Sequence, residues 1–104
     1  MKLNLNSAKN QKILSTLGEN IKLARLRRNL STENLAVKAE IGRVTFIKIE
    51  QGNPSVALGK YMQVLLVLGL ENDLVNIAVS DPIGRKLQDG QLMLRKRAPR
   101  QKKD

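Results

Sequence analysis

The sequence of 104 residues contains neither cysteine nor histidine. The first absence excludes disulfides, thiolate metal ligands and cysteine nucleophiles, and the second removes the imidazole on which much acid–base catalysis depends. The acidic residues are scattered, and no pair of them predicts carboxylate-based hydrolysis. We therefore expect a protein that is not an enzyme and that uses no metal, cofactor or small-molecule substrate.

Aromatic residues and long apolar runs are also scarce. Tyr61 and Phe46 are the only aromatic side chains, too few for the stacking platforms that bind single strands. No run approaches the roughly eighteen apolar residues of a membrane span, and the first residues lack the apolar core of a signal peptide. The sequence therefore predicts a cytoplasmic protein with no membrane partner.

Positive charge is abundant and lies mainly at the two ends of the chain. The net charge of +10 divides into +3 over residues 1–16, +2 over 17–80, zero over 81–94 and +5 over 95–104. Basic side chains beside phosphates release condensed counterions, so this distribution favours a polyanionic partner. The last ten residues fit either a phosphate-binding arm or a solubilising tail, and their composition predicts disorder.

Apolar residues recur at helical spacing through the rest of the chain. With Ser31 as an N-cap and Gly52 and Gly69 as C-terminal stops, this spacing predicts helices over residues 17–29, 32–39, 43–51, 58–68, 72–79 and 82–88. The start of the first helix stays open by one to two turns.

These helices predict an all-α domain of five to six helices over residues 13–90. An N-terminal arm over 1–12 and a basic tail over 91–104 complete the chain. The expected inward faces include Leu17 in the first helix and Leu58 and Met62 in the fourth. A polar–apolar alternation over residues 2–6 fits a short strand.

The second and third helices are short and are joined by the three residues 40–42. This is the arrangement of a helix-turn-helix, in which the second helix projects into the major groove of DNA. The pattern alone fits an arbitrary small helical bundle equally well.

The stretch LGENIKLARLRRNLSTENLAVKAEIGRVTFIKIEQGNPSV resembles the Xre family of bacterial and phage repressors, over residues 17 to about 70. The resemblance implies a lambda-repressor-like fold and operator binding. Within that family, GNPSVALGKYMQVLLVLGL and DPIGRKL resemble the HipB-like antitoxins. This narrower resemblance implies a HipA-type kinase as partner and repression of the protein's own operon.

Family position implies a buried ion pair between Arg25 of the first helix and Glu50 of the third. The alternative is two unrelated surface charges. The resemblance also places Ser or Thr at the position of Gly42, so this sequence caps its recognition helix more weakly than most relatives.

The outward face of the third helix carries the predicted base-reading residues Arg43, Val44, Ile47 and Lys48. Arg43 can donate two hydrogen bonds to guanine or can merely bind phosphate, and Val44 or Ile47 can contact thymine methyls. β-Branched residues are more often core, but Val44, Phe46, Ile47 and Ile49 exceed one helical face, so at least one is exposed. Thr45 and the backbone amides at Ser31 and Thr32 are the predicted phosphate contacts.

A single recognition helix contacts few base pairs, and repressors of this kind dimerise across half-sites about 34–36 Å apart. The apolar residues after the fourth helix exceed what a small monomer buries, so we predict a homodimer. The predicted interface comprises Leu74, Val75, Ile77, Ile83 and Leu87. The HipB resemblance also implies a short terminal strand over residues 91–94 at that interface.

Residues 52–61 superficially resemble a phosphate-binding loop, but the glycine spacing is too long and Tyr61 stands at the metal-binding Ser or Thr position.

The function that the resemblance implies is a sequence-specific repressor of double-stranded DNA, with a HipA-like kinase as partner. The alternatives are a protein or RNA adaptor that uses the domain as scaffold, and an orphan phage-type repressor without a toxin.

Overall fold

The computed structural model describes residues 3–95, with side chains as far as residue 91. This part of the chain is all helical and contains no strand, which confirms the predicted fold class. The six helices in chain order are α1 (Ala8–Arg27), α2 (Thr32–Ala39), α3 (Arg43–Glu50), α4 (Leu58–Leu68), α5 (Asn72–Val75) and α6 (Pro82–Arg95).

Helix α1 begins well before its predicted start. The Ser7 hydroxyl accepts a hydrogen bond from the amide of Asn10 at 3.2 Å, which caps the helix at its N-terminus. Residues 8–12, which were predicted as part of the N-terminal arm, therefore belong to this helix. The predicted strand is wrong in its described part, because the carbonyl of Asn4 accepts from the amides of Ser7 and the Asn10 side chain in a turn.

Helices α2, α3 and α4 lie where their caps predicted them. Ser31 caps α2 by accepting from the amide of Asn34 at 3.0 Å, and α4 ends at Gly69, which has a φ of 77°. Helix α3 ends at Glu50, and Gln51 closes its last turn one residue before Gly52. The capping residues are local signals, which is why these bounds were readable from sequence.

The core lies among α1 to α4. Its largest fully buried side chains are Phe46, Leu35, Ile49 and Val64, and the other buried apolar residues are Ile21, Ala24, Ala36, Ala39, Tyr61, Leu65 and Leu68. The inward placement of Leu17, Leu58 and Met62 is wrong, because each is more than 40% exposed. In α4 apolar residues occupy more than one face. The face that is buried carries Tyr61, Val64, Leu65 and Leu68.

The chain divides into two compact units between Leu74 and Val75. The first unit holds the core and α1 to α5, except for the last residue of α5. In the second, α6 begins after Asp81, whose carboxylate accepts from the amide of Gly84 at 3.0 Å, and runs to Arg95. The predicted strand over residues 91–94 is therefore wrong. Residues 91–95 of the predicted basic tail are helical, and residues 96–104 of that tail lie outside the described part.

Candidate nucleic-acid interface

The turn between α2 and α3 fixes how the two helices meet. Glu40 adopts the left-handed conformation, with a φ of 59°, and its amide donates to the carbonyls of Ala36 and Val37. The amide of Ile41 also donates to Ala36, at 3.1 Å, while its side chain packs against the core. A single residue of positive φ thus ends α2 and turns the chain, and α3 packs beside α2 in a helix-turn-helix.

Helix α3 has one buried face and one open face. Phe46 and Ile49 are fully buried and anchor the helix in the core. Arg43, Val44 and Lys48 are exposed, and Ile47 is half-buried at their border. Val44 is 67% exposed, so the helix presents an apolar side chain to solvent between two cations. The structure therefore places all four predicted base-reading residues on or beside the outward face.

Arg25 and Glu50 meet in a nearly buried ion pair. Arg25 Nε donates to Glu50 Oε2 at 2.7 Å, and a second guanidinium nitrogen donates to Oε1 at 3.2 Å. The side chains are only 8% and 11% exposed. Arg25 also donates to the carbonyl of Leu30 at 2.9 Å. One guanidinium thus ties α1 to the end of α3 and to the loop before α2.

Two glycines let α1 pass directly against the end of α3. A Cβ at Gly18 would lie 2.7 Å from the carbonyl carbon of Glu50, and one at Gly52 would lie 2.6 Å from the amide nitrogen of Ser15. Gly52 also has a φ of 76°. Gly18, which sequence alone marks as a weak point in a helix, is required by backbone contact.

The predicted phosphate contacts lie at helix starts. Ser31 is exposed, and its hydroxyl caps α2 while the helix dipole places partial positive charge there. The carboxylate of Glu33 lies in the same first turn of α2, and its negative charge opposes phosphate binding there. Thr32 and Thr45 are half-buried. Gly42 leaves α3 without a side-chain cap, as its lack of a side chain predicts.

Two glutamine side chains that sequence reasoning missed contact the backbone on either side of α3. Gln63 of α4 donates through Nε2 to the carbonyl of Ala39 at 2.7 Å and more weakly to that of Glu40 at 3.5 Å. Gln11 of α1 donates through Nε2 to the carbonyl of Gly52 at 3.2 Å. No sequence pattern identifies such contacts, because they join residues 24 and 41 positions apart.

The predicted dimer residues divide between the two units. Leu74 is half-buried and packs against the core of the first unit. In the second unit the large apolar side chains described are between 54% and 74% exposed, and they are Val75, Ile77, Val79, Ile83 and Leu87. Ile83 and Leu87 lie one turn apart on α6, so this helix presents an open apolar stripe.

Within residues 3–95, no helix is both long enough and apolar enough to cross a membrane. The sequence matches no protein-family model. It is similar to a protein of Sinorhizobium fredii named uncharacterized HTH-type transcriptional regulator y4mF. The two are 32% identical over 68 residues, which span 65% of this chain and 90% of that protein.

Proposed function

The chain belongs to the helix-turn-helix transcriptional regulators, and we propose on that premise that it is a repressor that reads a palindromic operator as a homodimer. The observation that carries the proposal is the open face of α3. Arg43, Val44 and Lys48 are exposed there, while Phe46 and Ile49 anchor the opposite face in the core. A helix held in this way can enter the major groove without losing its packing.

The residues on that face suit direct readout of base edges. Arg43 lies in the first turn, where a recognition helix reaches deepest, and its guanidinium can donate two hydrogen bonds to one guanine. The exposed Val44 offers a methyl surface for thymine, with Ile47 beside it. Lys48 adds a cation one turn further along. We assign Thr45 and the amides at Ser31 and Thr32 to phosphate, where they set register without reading sequence.

The dimer follows from the second unit. A lone helix of fourteen residues is marginal in water, and α6 contains two glycines that lower its helix propensity further. Its stability needs a packing partner for Ile83 and Leu87, which are 74% and 61% exposed. A second copy of the chain supplies a matching stripe, and two copies present two recognition helices to two half-sites.

The finer assignment is a HipB-like antitoxin or co-repressor that acts on its own operon. It is supported by the resemblance of residues 52–70 and 81–87 to those proteins, and it gives a HipA-type kinase as partner. The protein acts without catalysis, in the cytoplasm at the nucleoid. A kinase-like protein that is encoded in the neighbouring reading frame and co-purifies with this chain would support the antitoxin assignment. Without such a protein, the chain is an orphan repressor.

A mobility-shift assay tests the DNA-binding proposal. The full chain is titrated against the duplex upstream of its own gene, an unrelated duplex of equal length and an RNA of the same sequence. We expect the upstream duplex to bind at least about a thousandfold more tightly than the unrelated one. Equal affinity for all three would contradict operator reading and favour the adaptor function.

A further inference from the structure

The recognition helix begins without a local anchor of its own. Its N-cap is Gly42, which makes no side-chain capping hydrogen bond and is the most flexible backbone residue type. A Cβ at Gly42 would meet only the hydroxyl of Thr45, at 3.8 Å. The position of the first turn of α3 therefore depends on the buried Phe46 and on contacts made just before the helix.

Those contacts converge on the carbonyls that end α2. The carbonyl of Ala36 accepts from the amides of Glu40 and Ile41, within the turn itself. The carbonyls of Ala39 and Glu40 accept from a different helix, through the half-buried amide of Gln63 at 2.7 and 3.5 Å. Gln63 is thus the tertiary hydrogen-bond donor to this turn in the described part of the chain.

We propose that Gln63 is a positioning residue for DNA reading: its side-chain amide, by holding the carbonyls of Ala39 and Glu40, sets where Arg43 and Val44 enter the groove. This inference rests on the function proposed for α3. Gln63 lies on α4, far in sequence from Arg43 and Val44, and it acts on them through the turn.

Small displacements at this point have large consequences. Base-edge hydrogen bonds weaken steeply when distance or angle departs from the optimum, and binding groups need placement within about 0.5 Å. Phosphate contacts are more tolerant, because they depend on charge more than on direction. Loss of the Gln63 contact is therefore expected to lower specific binding and to spare nonspecific binding.

Gln11 provides a matched control. It also donates a side-chain amide hydrogen bond to a backbone carbonyl beside α3, but at Gly52, beyond the end of the helix that is remote from Arg43. Gln63→Met removes the short hydrogen bond to Ala39 and the weaker one to Glu40, and Gln11→Met removes its one hydrogen bond to Gly52, each with little change in volume. We expect the ratio of operator to nonspecific affinity to fall about fivefold in Gln63→Met and to stay within about twofold of wild type in Gln11→Met.

Gln63→Glu supplies a signature that a general loss of stability cannot imitate. Its ionised carboxylate would face two carbonyl oxygens, which raises its pKa above the ordinary value of glutamate, whereas the protonated acid can donate its one O–H to the nearer carbonyl, that of Ala39. Wild type has no histidine or cysteine, so no side chain of ordinary pKa titrates between about pH 5.5 and 8. The specificity ratio of this variant should be low at high pH and recover as pH falls, while wild type and the exposed-site control Gln88→Glu stay flat.

Amide chemical shifts of residues 40–43, measured by NMR without DNA, separate the effect of Gln63 on the turn from the proposed DNA binding. In Gln63→Glu they should titrate together with the specificity ratio. Flat shifts, or equal losses of specificity in Gln63→Met and Gln11→Met, would overturn the role of Gln63. Titrating shifts in a protein whose wild type prefers no duplex would instead overturn the proposed function, and the reading role of Gln63 with it.

Discussion

Gly18 of α1 packs directly against the backbone of Glu50, the residue that ends the recognition helix. Any Cβ at this position would overlap the carbonyl groups of Ile49 and Glu50. Gly18→Ala should therefore lower the free energy of unfolding by about 1–3 kcal/mol, although alanine is the better helix former. Urea denaturation measures the change.

Gly59 of α4 is the matched control for that substitution. A Cβ there would meet no atom of the described chain within 4 Å. Gly59→Ala should stabilise the fold by up to about 1 kcal/mol through helix propensity. If Gly18→Ala also stabilised the fold, the contact between Gly18 and Glu50 would not constrain the helix.

The ion pair of Arg25 and Glu50 predicts a stability effect of a different kind. Arg25→Ala would leave the Glu50 carboxylate nearly buried and unpaired, which typically costs about 3–5 kcal/mol. The double variant Arg25→Met, Glu50→Leu should lose less than the sum of the single changes, because no charge remains. Thermal unfolding measures Arg25→Ala, the double variant and its two single changes.

Arg28→Ala is the control, because it removes a guanidinium without breaking the buried ion pair. Arg28 is exposed, and within the described part of the chain its guanidinium donates only to the carbonyl of Ala24, one turn back on α1. Arg28→Ala should change the free energy of unfolding by no more than about 0.5 kcal/mol. A loss at Arg28 as large as that at Arg25 would contradict a special role for the buried pair.

Tyr61 makes stability depend on pH in the alkaline range. Burial raises the pKa of its phenol above the ordinary value of 10.0. Because the folded state favours the neutral phenol, the resulting stability is full below the unfolded pKa and is lost as pH rises through the folded one. Tyr61 is the only tyrosine and the chain has no tryptophan, so ultraviolet absorbance reports this group alone. We expect tyrosinate to form at higher pH in the folded chain than in urea, and equal midpoints would contradict the burial.

The parts of the fold that sequence predicts are those with local causes. Ser31 and Gly69 mark the ends of α2 and α4 by capping chemistry, and the spacing of Phe46 and Ile49 gives the buried face of α3. The start of α1 was missed because residues 8–12 carry no apolar periodicity. The helix begins there through its cap, in which the Ser7 hydroxyl accepts from the amide of Asn10.

The family resemblance gave the Arg25–Glu50 ion pair, but the other contacts that hold the site were not predicted. The exposed character of Arg43 and Lys48 follows from one helical wheel, and the structure places them accordingly. The close approach at Gly18 and the hydrogen bond from Gln63 depend on how helices distant in sequence pack together. Periodicity within one helix carries no information on such contacts.

Arg43 should separate base reading from simple attraction to phosphate. If its guanidinium binds a guanine edge, Arg43→Ala should cost about 1–3 kcal/mol of discrimination, and Arg43→Lys should lose much of it too, since lysine lacks the planar fork. Quantitative mobility shifts on operator and unrelated duplexes give the discrimination, and circular dichroism checks the fold. Full specificity in Arg43→Lys would indicate a phosphate contact instead.

The apolar stripe of α6 predicts that one substitution breaks the dimer. Leu87 is 61% exposed in the single chain, and burial against a second copy would place its side chain in an apolar seam with Ile83. Leu87→Glu would put an unpaired charge in that seam and should raise the dimer dissociation constant at least about tenfold. Gln88→Glu introduces the same residue and the same charge at the next, exposed position, off the stripe, and should leave the constant unchanged. Sedimentation equilibrium measures both variants, and an equal response from the two, or a wild-type chain that stays monomeric at every concentration, would contradict self-association through α6.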